Sequence, residues 1–288
     1  MKQATQSTWK AGVRTTLLLA TLTGLLVVIG ALIGGPGTAL LFLGIGLVMN
    51  LFSYFFSDKI ALKMSRARPL PEDEAPRLHQ IVRELAHSGG VPMPKLYVIP
   101  ATQPNAFATG RNPRHSAVAV TEGITQLLSE SELRGVIAHE LAHVRNRDIL
   151  IQTVAAAIGG AITWLGYALL FLGGDDDDSP IGLIGTFALF LLAPIAAGII
   201  QMAISRQREF AADATGARIS RSPNALADAL ERLEAGAKAM PMQVSPAAEP
   251  LYIVKPFSGG GIAGLFSTHP PIPERVRRLR EMAATLEA

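Results

Sequence analysis

Two histidines and a glutamate lie close together in residues 139–143, which read His-Glu-Leu-Ala-His. A helix turns by about 100° per residue, so His139 and His143 lie within about 40° of each other and Glu140 within about 60° of His143. Two imidazoles at this spacing supply two ligands of a tetrahedral zinc site, and the carboxylate can take a proton from a water that the ion activates. The pattern predicts metal-dependent hydrolysis, although four identities in five positions also arise by chance.

A catalytic zinc site needs three protein ligands, and Glu209 is the candidate for the third. Asp213 follows one helical turn later, where its carboxylate can accept the free ring N–H of a ligating histidine and fix the orientation of that ring. Taken alone, these two acids beside Arg206 and Arg208 are more simply interpreted as a solvated face. The chain has no cysteine, which leaves histidines and carboxylates as the available ligands.

Four long stretches flank or follow these residues and contain no Asp, Glu, Lys, Arg or His, namely 15–33, 36–56, 149–172 and 180–204. A helix crosses a bilayer core in about 20 residues, so each stretch can span a membrane. Only 17% of the chain is charged, and four such stretches make buried helices of a soluble core a poor alternative. We expect a mainly α integral membrane protein with four transmembrane helices.

The distribution of positive charge predicts the orientation of these helices. All 26 Lys and Arg lie in 1–14, 57–148 and 205–288, whereas the loop before residue 180 carries four consecutive aspartates, Asp175 to Asp178. The positive-inside rule then gives a cytosolic N-terminus (1–14), a transmembrane helical hairpin (15–56), the first half of a cytosolic domain (57–148), a second hairpin (149–204) and the second half of that domain (205–288). The basic excess is assigned to membrane topology and not to nucleic acid.

Within the cytosolic parts, the apolar pattern predicts a helix over 72–88 that ends at Gly89-Gly90 and a small antiparallel sheet of three strands, 95–99, 105–109 and 117–121. Ser129 precedes Glu132 by three residues, which is the spacing of a capping box, and predicts the start of the helix that carries the histidine pair. Further helices are expected over 205–218, 222–236 and 273–286, with a loop over 238–267.

The membrane positions predicted for the third and fourth stretches would bring the histidine pair and Glu209 close together. His143 precedes the third stretch by six residues and Glu209 follows the fourth by five. If the spans continue as helices into the cytosol, both ligands lie about 8 to 9 Å beyond the membrane. This coincidence is not expected of a chance motif.

These motifs together resemble the HtpX-type heat-shock membrane proteases, which are relatives of the type I CAAX prenyl proteases among the gluzincin metallopeptidases. The resemblance covers nearly the whole chain and includes the segments Asn105 to Gly110 and Thr268 to Pro271, the latter followed by Glu274-Arg275. It implies a gluzincin-like α+β domain and one Zn²⁺ held by His139, His143 and Glu209. It also implies an endopeptidase that acts in quality control of damaged or misfolded membrane proteins at the cytosolic face of a bacterial inner membrane.

The resemblance also suggests roles for residues outside the metal motif. Asn105, Ala106 and Phe107 would belong to an edge strand that binds an extended substrate by strand addition, although an ordinary sheet strand is an equal alternative. His269 would donate to the oxyanion that forms during hydrolysis, unless His-Pro-Pro is only a rigid turn. Glu140 and His269 are therefore the candidate catalytic residues.

Two other classes of function remain to be compared with the protease. A metal transporter is disfavoured because the four apolar stretches contain no ionisable residue near the midplane. A catalytically silent membrane adaptor is disfavoured by the presence of Glu140. The expected partners are accordingly polypeptide substrates, membrane proteins among them, and the lipid bilayer, with no nucleic acid.

Overall fold

The structure, a computed structural model, describes residues 2–150, 206–239, 252–253 and 270–287. The third and fourth predicted spans lie outside the described residues apart from Ile149 and Leu150. The predicted loop over 238–267 also lies outside them apart from 238–239 and 252–253. Helices and strands are numbered below in chain order among the described residues.

The first helix, α1 (Lys2–Met64), is not straight. The side-chain amide of Asn50 donates to Thr23 Oγ1 at 2.7 Å, whereas 27 residues of straight helix would separate the two by about 40 Å. Gly35, near the midpoint between them, has a φ of 72°, a left-handed conformation that glycine adopts at little cost and that lets the chain reverse there. Thr23 and Asn50 therefore lie on two parts of α1, before and after Gly35, that pack against each other.

One segment among the described residues is long and apolar enough to cross a membrane, Gly35–Phe56, with a mean hydropathy of 2.0. It overlaps the predicted second stretch, and its large side chains are exposed to the surroundings, Leu40 by 70% and Val48 by 68%. Four spans are not confirmed, and the number of crossings remains a prediction.

The sheet is mixed, and the prediction of an antiparallel sheet was wrong. It has the order β1-β2-β4-β3 and consists of β1 (Arg68–Pro69), β2 (Lys95–Ile99), β3 (Ala106–Asn112) and β4 (His115–Thr121). β3 and β4 form an antiparallel hairpin whose turn is closed by Asn112 Oδ1, which accepts the backbone N–H groups of Arg114 and His115. The link from β2 takes β3 to the outer edge, so β4 returns between them and runs parallel to β2.

The helices near the site start and end close to the predicted positions. The helix expected over 72–88 starts at Pro76 and ends before Gly90, which has a left-handed backbone conformation. Ser129 and Glu132 form the predicted capping box of the histidine helix. The bounds are α2 (Pro76–Gly89), α3 (Glu122–Leu127), α4 (Glu130–Asn146), α5 (Arg206–Ser220), α6 (Pro223–Ala239) and α7 (Ile272–Glu287).

The main core surrounds α4, which is buried on nearly every side from Gly135 to Val144. α2, α5 and α6 pack against it, and one face of the sheet supplies Val118 and Val120 to the same core. The helix that carries the histidine pair is therefore central, which is why its imidazoles are removed from water.

α4 does not continue into the next helix. Arg147 has a φ of 62° and ends α4 at Asn146, and the chain becomes helical again only at Ile149. The assumption that the histidine helix runs straight into the third span was therefore wrong, because a left-handed residue interrupts the helical hydrogen bonds.

α5 approaches the backbone of α4 closely at Gly216. A Cβ atom built on Gly216 would lie 2.8 Å from both Cα and N of His139 and 3.0 Å from the carbonyl carbon of Ala138. Only a residue without a side chain permits this approach, and it brings the helix of Glu209 against the helix of the two histidines.

We expect Gly216→Ala to destabilise the protein by about 1 to 3 kcal/mol, because the methyl group meets backbone that cannot move aside. The apparent affinity for metal should fall with it, since α5 carries Glu209. Thermal unfolding of the detergent-solubilised protein measures the first effect. Gly44→Ala, where an added Cβ meets nothing within 4 Å, is the matched control and should unfold at the parent temperature or above.

Candidate metal centre and active site

α4 and α5 bring the three predicted metal ligands to one buried point. The Nε2 atoms of His139 and His143 lie 3.2 Å apart. The two carboxylate oxygens of Glu209 lie 3.7 Å from His139 Nε2 and 3.5 Å from His143 Nε2. All three side chains are at most 5% exposed, and among the described residues they form a group able to hold a metal ion.

These separations fit a zinc ion. Ligand bonds of about 2.0–2.1 Å in a tetrahedron place the ligand atoms about 3.3–3.4 Å apart. The two Nε2 atoms lie 3.2 Å apart, and the nearest oxygens of Glu209, a different one for each histidine, lie at 3.5 and 3.7 Å, close to that value. Three protein ligands also leave a fourth position open, as catalytic zinc sites do. The donor set and its spacing therefore suit the ion that the sequence predicted.

The other ring nitrogen of each histidine faces a carboxylate. Nδ1 of His139 lies 3.0 Å from Oδ1 of Asp213, as the one-turn spacing after Glu209 predicted. Nδ1 of His143 lies 3.4 Å from Oδ2 of Asp148, a residue that the sequence analysis did not single out. A carboxylate on Nδ1 favours the tautomer with the proton on that nitrogen, which leaves the Nε2 lone pair free for a metal.

Arg275 on α7 is fully buried beside Asp213. Its Nε and Nη2 atoms donate to the two oxygens of Asp213 at 2.8 and 2.6 Å, and Nη2 lies 3.5 Å from His139 Nε2. Burial opposes ionisation of Asp213, but the Arg275 guanidinium outweighs it and lowers the pKa of Asp213 to about 2. Asp213 is therefore an anion at neutral pH.

The position of Arg275 in the sequence already indicates that this residue is buried and paired, which the sequence analysis above did not infer. The residue lies three positions after Ile272 and four before Leu279, so it is a cation on the apolar face of an amphipathic helix. A charge at such a position is rarely buried unless it is paired.

Glu140 is buried next to the two ligating histidines. Burial raises the pKa of its carboxyl group, and nearby histidine charge together with the backbone N–H of Ala108 acts in the opposite direction. The contact with Ala108 joins the candidate base to β3, the outermost strand at one edge of the sheet.

The segment predicted to bind substrate is placed at that edge, but its side chains point into the protein. Asn105 is fully buried, and its backbone N–H and C=O both bond to Thr121. Phe107 is fully buried in edge-to-face contact with Tyr252. The backbone C=O of Ala106 accepts the N–H of Ile253 at 3.2 Å. The side chains of Asn105 and Phe107 therefore face the protein interior, and strand addition of a substrate to this segment stays a prediction. His269 lies outside the described residues.

Burial lowers the pKa of His143, but the negative charges of Glu209 and Asp148 outweigh it and raise the value to about 9 in the metal-free protein. A protonated imidazole cannot bind a metal, so protons compete with the ion below that pH.

The comparisons with known proteins agree with this chemistry. The sequence model of peptidase family M48 matches residues 72–283. The chain is 56% identical over 273 residues to a Protease HtpX homolog of Pelotomaculum thermopropionicum, which covers 93% of this chain and 97% of that protein. It is 54% identical over 279 residues to a Protease HtpX homolog of Persephonella marina, with 94% and 97% covered.

A solved structure supports the fold. The crystal structure of S. mikatae Ste24p superposes with a TM-score of 0.52 at 18% identity, covering 96% of this chain and 67% of that one. The chain belongs to peptidase family M48. It is a metalloprotease, a hydrolase of peptide bonds associated with the membrane, and the buried His-His-Glu group is its candidate metal site.

The raised pKa of His143 predicts a pH-dependent metal affinity. Between about pH 7 and about pH 8.5 the apparent affinity for zinc should rise about tenfold per pH unit, because binding must displace one proton. Competition with a chelator, corrected for the chelator's own protonation, measures this slope. An affinity that does not change over this interval would contradict the assignment of a proton to His143.

Proposed function

We propose that the chain is a zinc endopeptidase in which His139, His143 and Glu209 hold the ion and Glu140 is the general base. The observation that carries the proposal is the convergence of two Nε2 atoms and one carboxylate at tetrahedral spacing, with the buried Glu140 beside them. When bound there, zinc supplies Lewis acidity and lowers the pKa of water toward about 7.

Glu140 supplies the proton transfers. Its carboxylate accepts a proton from the attacking water and returns it to the leaving amine, so the same oxygen serves as base and then as acid. Burial raises the pKa of Glu140, which favours a proton held on this group between the two transfers. The Ala108 N–H fixes the carboxylate during both steps.

The main chain of β3 orients the substrate. β3 is the outer strand of the sheet, and alternate residues of an antiparallel strand point their N–H and C=O groups to the free edge. Ala106 and Ala108 are two such residues, because the first bonds to Ile253 and the second to Glu140. To add along this edge, an extended peptide must replace the contact of Ile253 with Ala106, and it then passes next to the base.

Glu140→Gln should abolish cleavage while keeping the fold and the bound zinc, since the amide preserves shape but cannot accept the proton. We expect turnover of a casein-type substrate to fall by at least about 100-fold. Elemental analysis should find the zinc content of the parent. Glu122→Gln, which changes an exposed glutamate on α3, is the control and should cleave as the parent does; turnover of Glu140→Gln at that rate would refute the role of the base.

We further propose that the substrates are membrane proteins, damaged or misfolded ones among them, cut on the cytosolic side of a bacterial inner membrane in stress-related quality control. The support is the apolar segment Gly35–Phe56, the similarity to the Protease HtpX homologs and the position of Ala61 and Leu62. These two residues follow that segment within about 10 Å of helix and pack against Phe107 of the sheet. Hydrolysis needs an extended backbone and water, and neither exists inside hydrocarbon.

The orientation is testable in a chain without native cysteine. Ser88→Cys places a thiol on the exposed end of α2, and Ser179→Cys places one beside the four aspartates. In intact spheroplasts a membrane-impermeant maleimide should label position 179 and not position 88, and both should react after permeabilisation. The opposite pattern would put the protease domain on the outer face and remove this account of its substrates.

A further inference from the structure

Asp148 gives His143 the same kind of carboxylate partner that Asp213 gives His139. The two imidazoles direct their Nε2 atoms to the point shared with Glu209 and their Nδ1 atoms to separate acids, at 3.0 Å for Asp213 and 3.4 Å for Asp148. The side chain of Asp148 is 9% exposed. We propose that Asp148 is a positioning residue that fixes the tautomer and ring orientation of His143 for metal binding, an inference that rests on the zinc site proposed above.

The backbone holds Asp148 against the residue that it orients. The N–H of Arg147 bonds to the C=O of Val144, and the N–H of Asp148 bonds to the C=O of His143 at 3.0 Å. With the left-handed Arg147 between them, these two bonds form a Schellman motif. The turn that ends α4 therefore returns the chain so that the carboxylate of Asp148 lies beside the ring of His143.

Asp148 also precedes the residue at which the chain becomes helical again, Ile149. An aspartate at this place can cap the new helix through its side chain. A structural role in capping and a positioning role toward His143 are therefore the two explanations to separate, and they differ in side-chain requirements. Serine caps a helix, but its side chain is one bond shorter than that of aspartate and has no second oxygen to reach the imidazole. Asparagine can both cap the helix and accept from the imidazole, but as a neutral group.

Three variants of the full-length protein in detergent separate the two roles: Asp148→Ala, Asp148→Ser and Asp148→Asn. The zinc dissociation constant is measured for each by competition with a chromophoric chelator, and Co²⁺ is added to the metal-free protein to record the visible absorption of its ligand field. Asp73→Asn, which changes an exposed aspartate outside the site, is the matched control. Thermal unfolding without metal reports on what residue 148 contributes to the fold, capping included.

We expect Asp148→Ala and Asp148→Ser to weaken zinc binding by about 10 to 100-fold and to alter the Co²⁺ spectrum. Asp148→Asn should lose less zinc affinity, because its amide oxygen still accepts the hydrogen bond of the Nδ1 proton. Asp148→Ser should keep most of the thermal stability that Asp148→Ala loses. If Asp148→Ala does not fold, the comparison of serine with asparagine decides. Zinc affinity of Asp148→Ser equal to that of the parent would overturn the proposal and leave capping as the role. Absence of zinc binding by the parent would instead refute the metal site itself.

Discussion

Burial of several carboxylates at one point is the constraint on which this structure depends. Glu140, Glu209, Asp213 and Asp148 surround two imidazoles inside the protein, and an unpaired buried carboxylate is too costly to keep ionised. Arg275 compensates one of these charges directly, and in the metal-free state a proton on His143 compensates another. A divalent cation at the shared point offsets the remaining charge better than a proton does, so the same arrangement that catalyses also selects for metal.

Helix packing makes this charge cluster possible. The metal ligands come from α4 and α5, which are far apart in the chain, and no local turn can bring them together. Gly216 lets α5 approach the backbone at His139, and Glu209 lies about two turns before it on the same helix. Arg275 then joins α7 to α5 through two short hydrogen bonds to Asp213. Apart from the local contact of His143 with Asp148, the ionic contacts in the site are thus also contacts between helices.

The sequence predicted the parts of the site that follow from the geometry of a single helix. The spacing of His139 and His143, the position of Asp213 after Glu209 and the capping box at Ser129 all depend on residues within a few positions of one another. It did not predict the insertion of β4 between β2 and β3, because pairing order depends on the route of a link and not on apolar alternation. Asp148 and Arg275 were missed for a related reason: their partners are set by a left-handed turn and by the docking of a distant helix.

The sheet connects the membrane end of the protein with the chemistry. One face of β3 packs Phe107 against Tyr252 and against Ala61 of α1, and the next residue, Ala108, lies on the opposite face and bonds through its N–H to Glu140. Successive residues of a strand point to opposite faces. Phe107 therefore packs on the side of α1, and the adjacent Ala108 contacts Glu140. Protein interiors are close-packed and change volume little. The distance from the apolar segment to the site is therefore set by packing, and under the function proposed above a substrate must reach this height beside the bilayer to be cut.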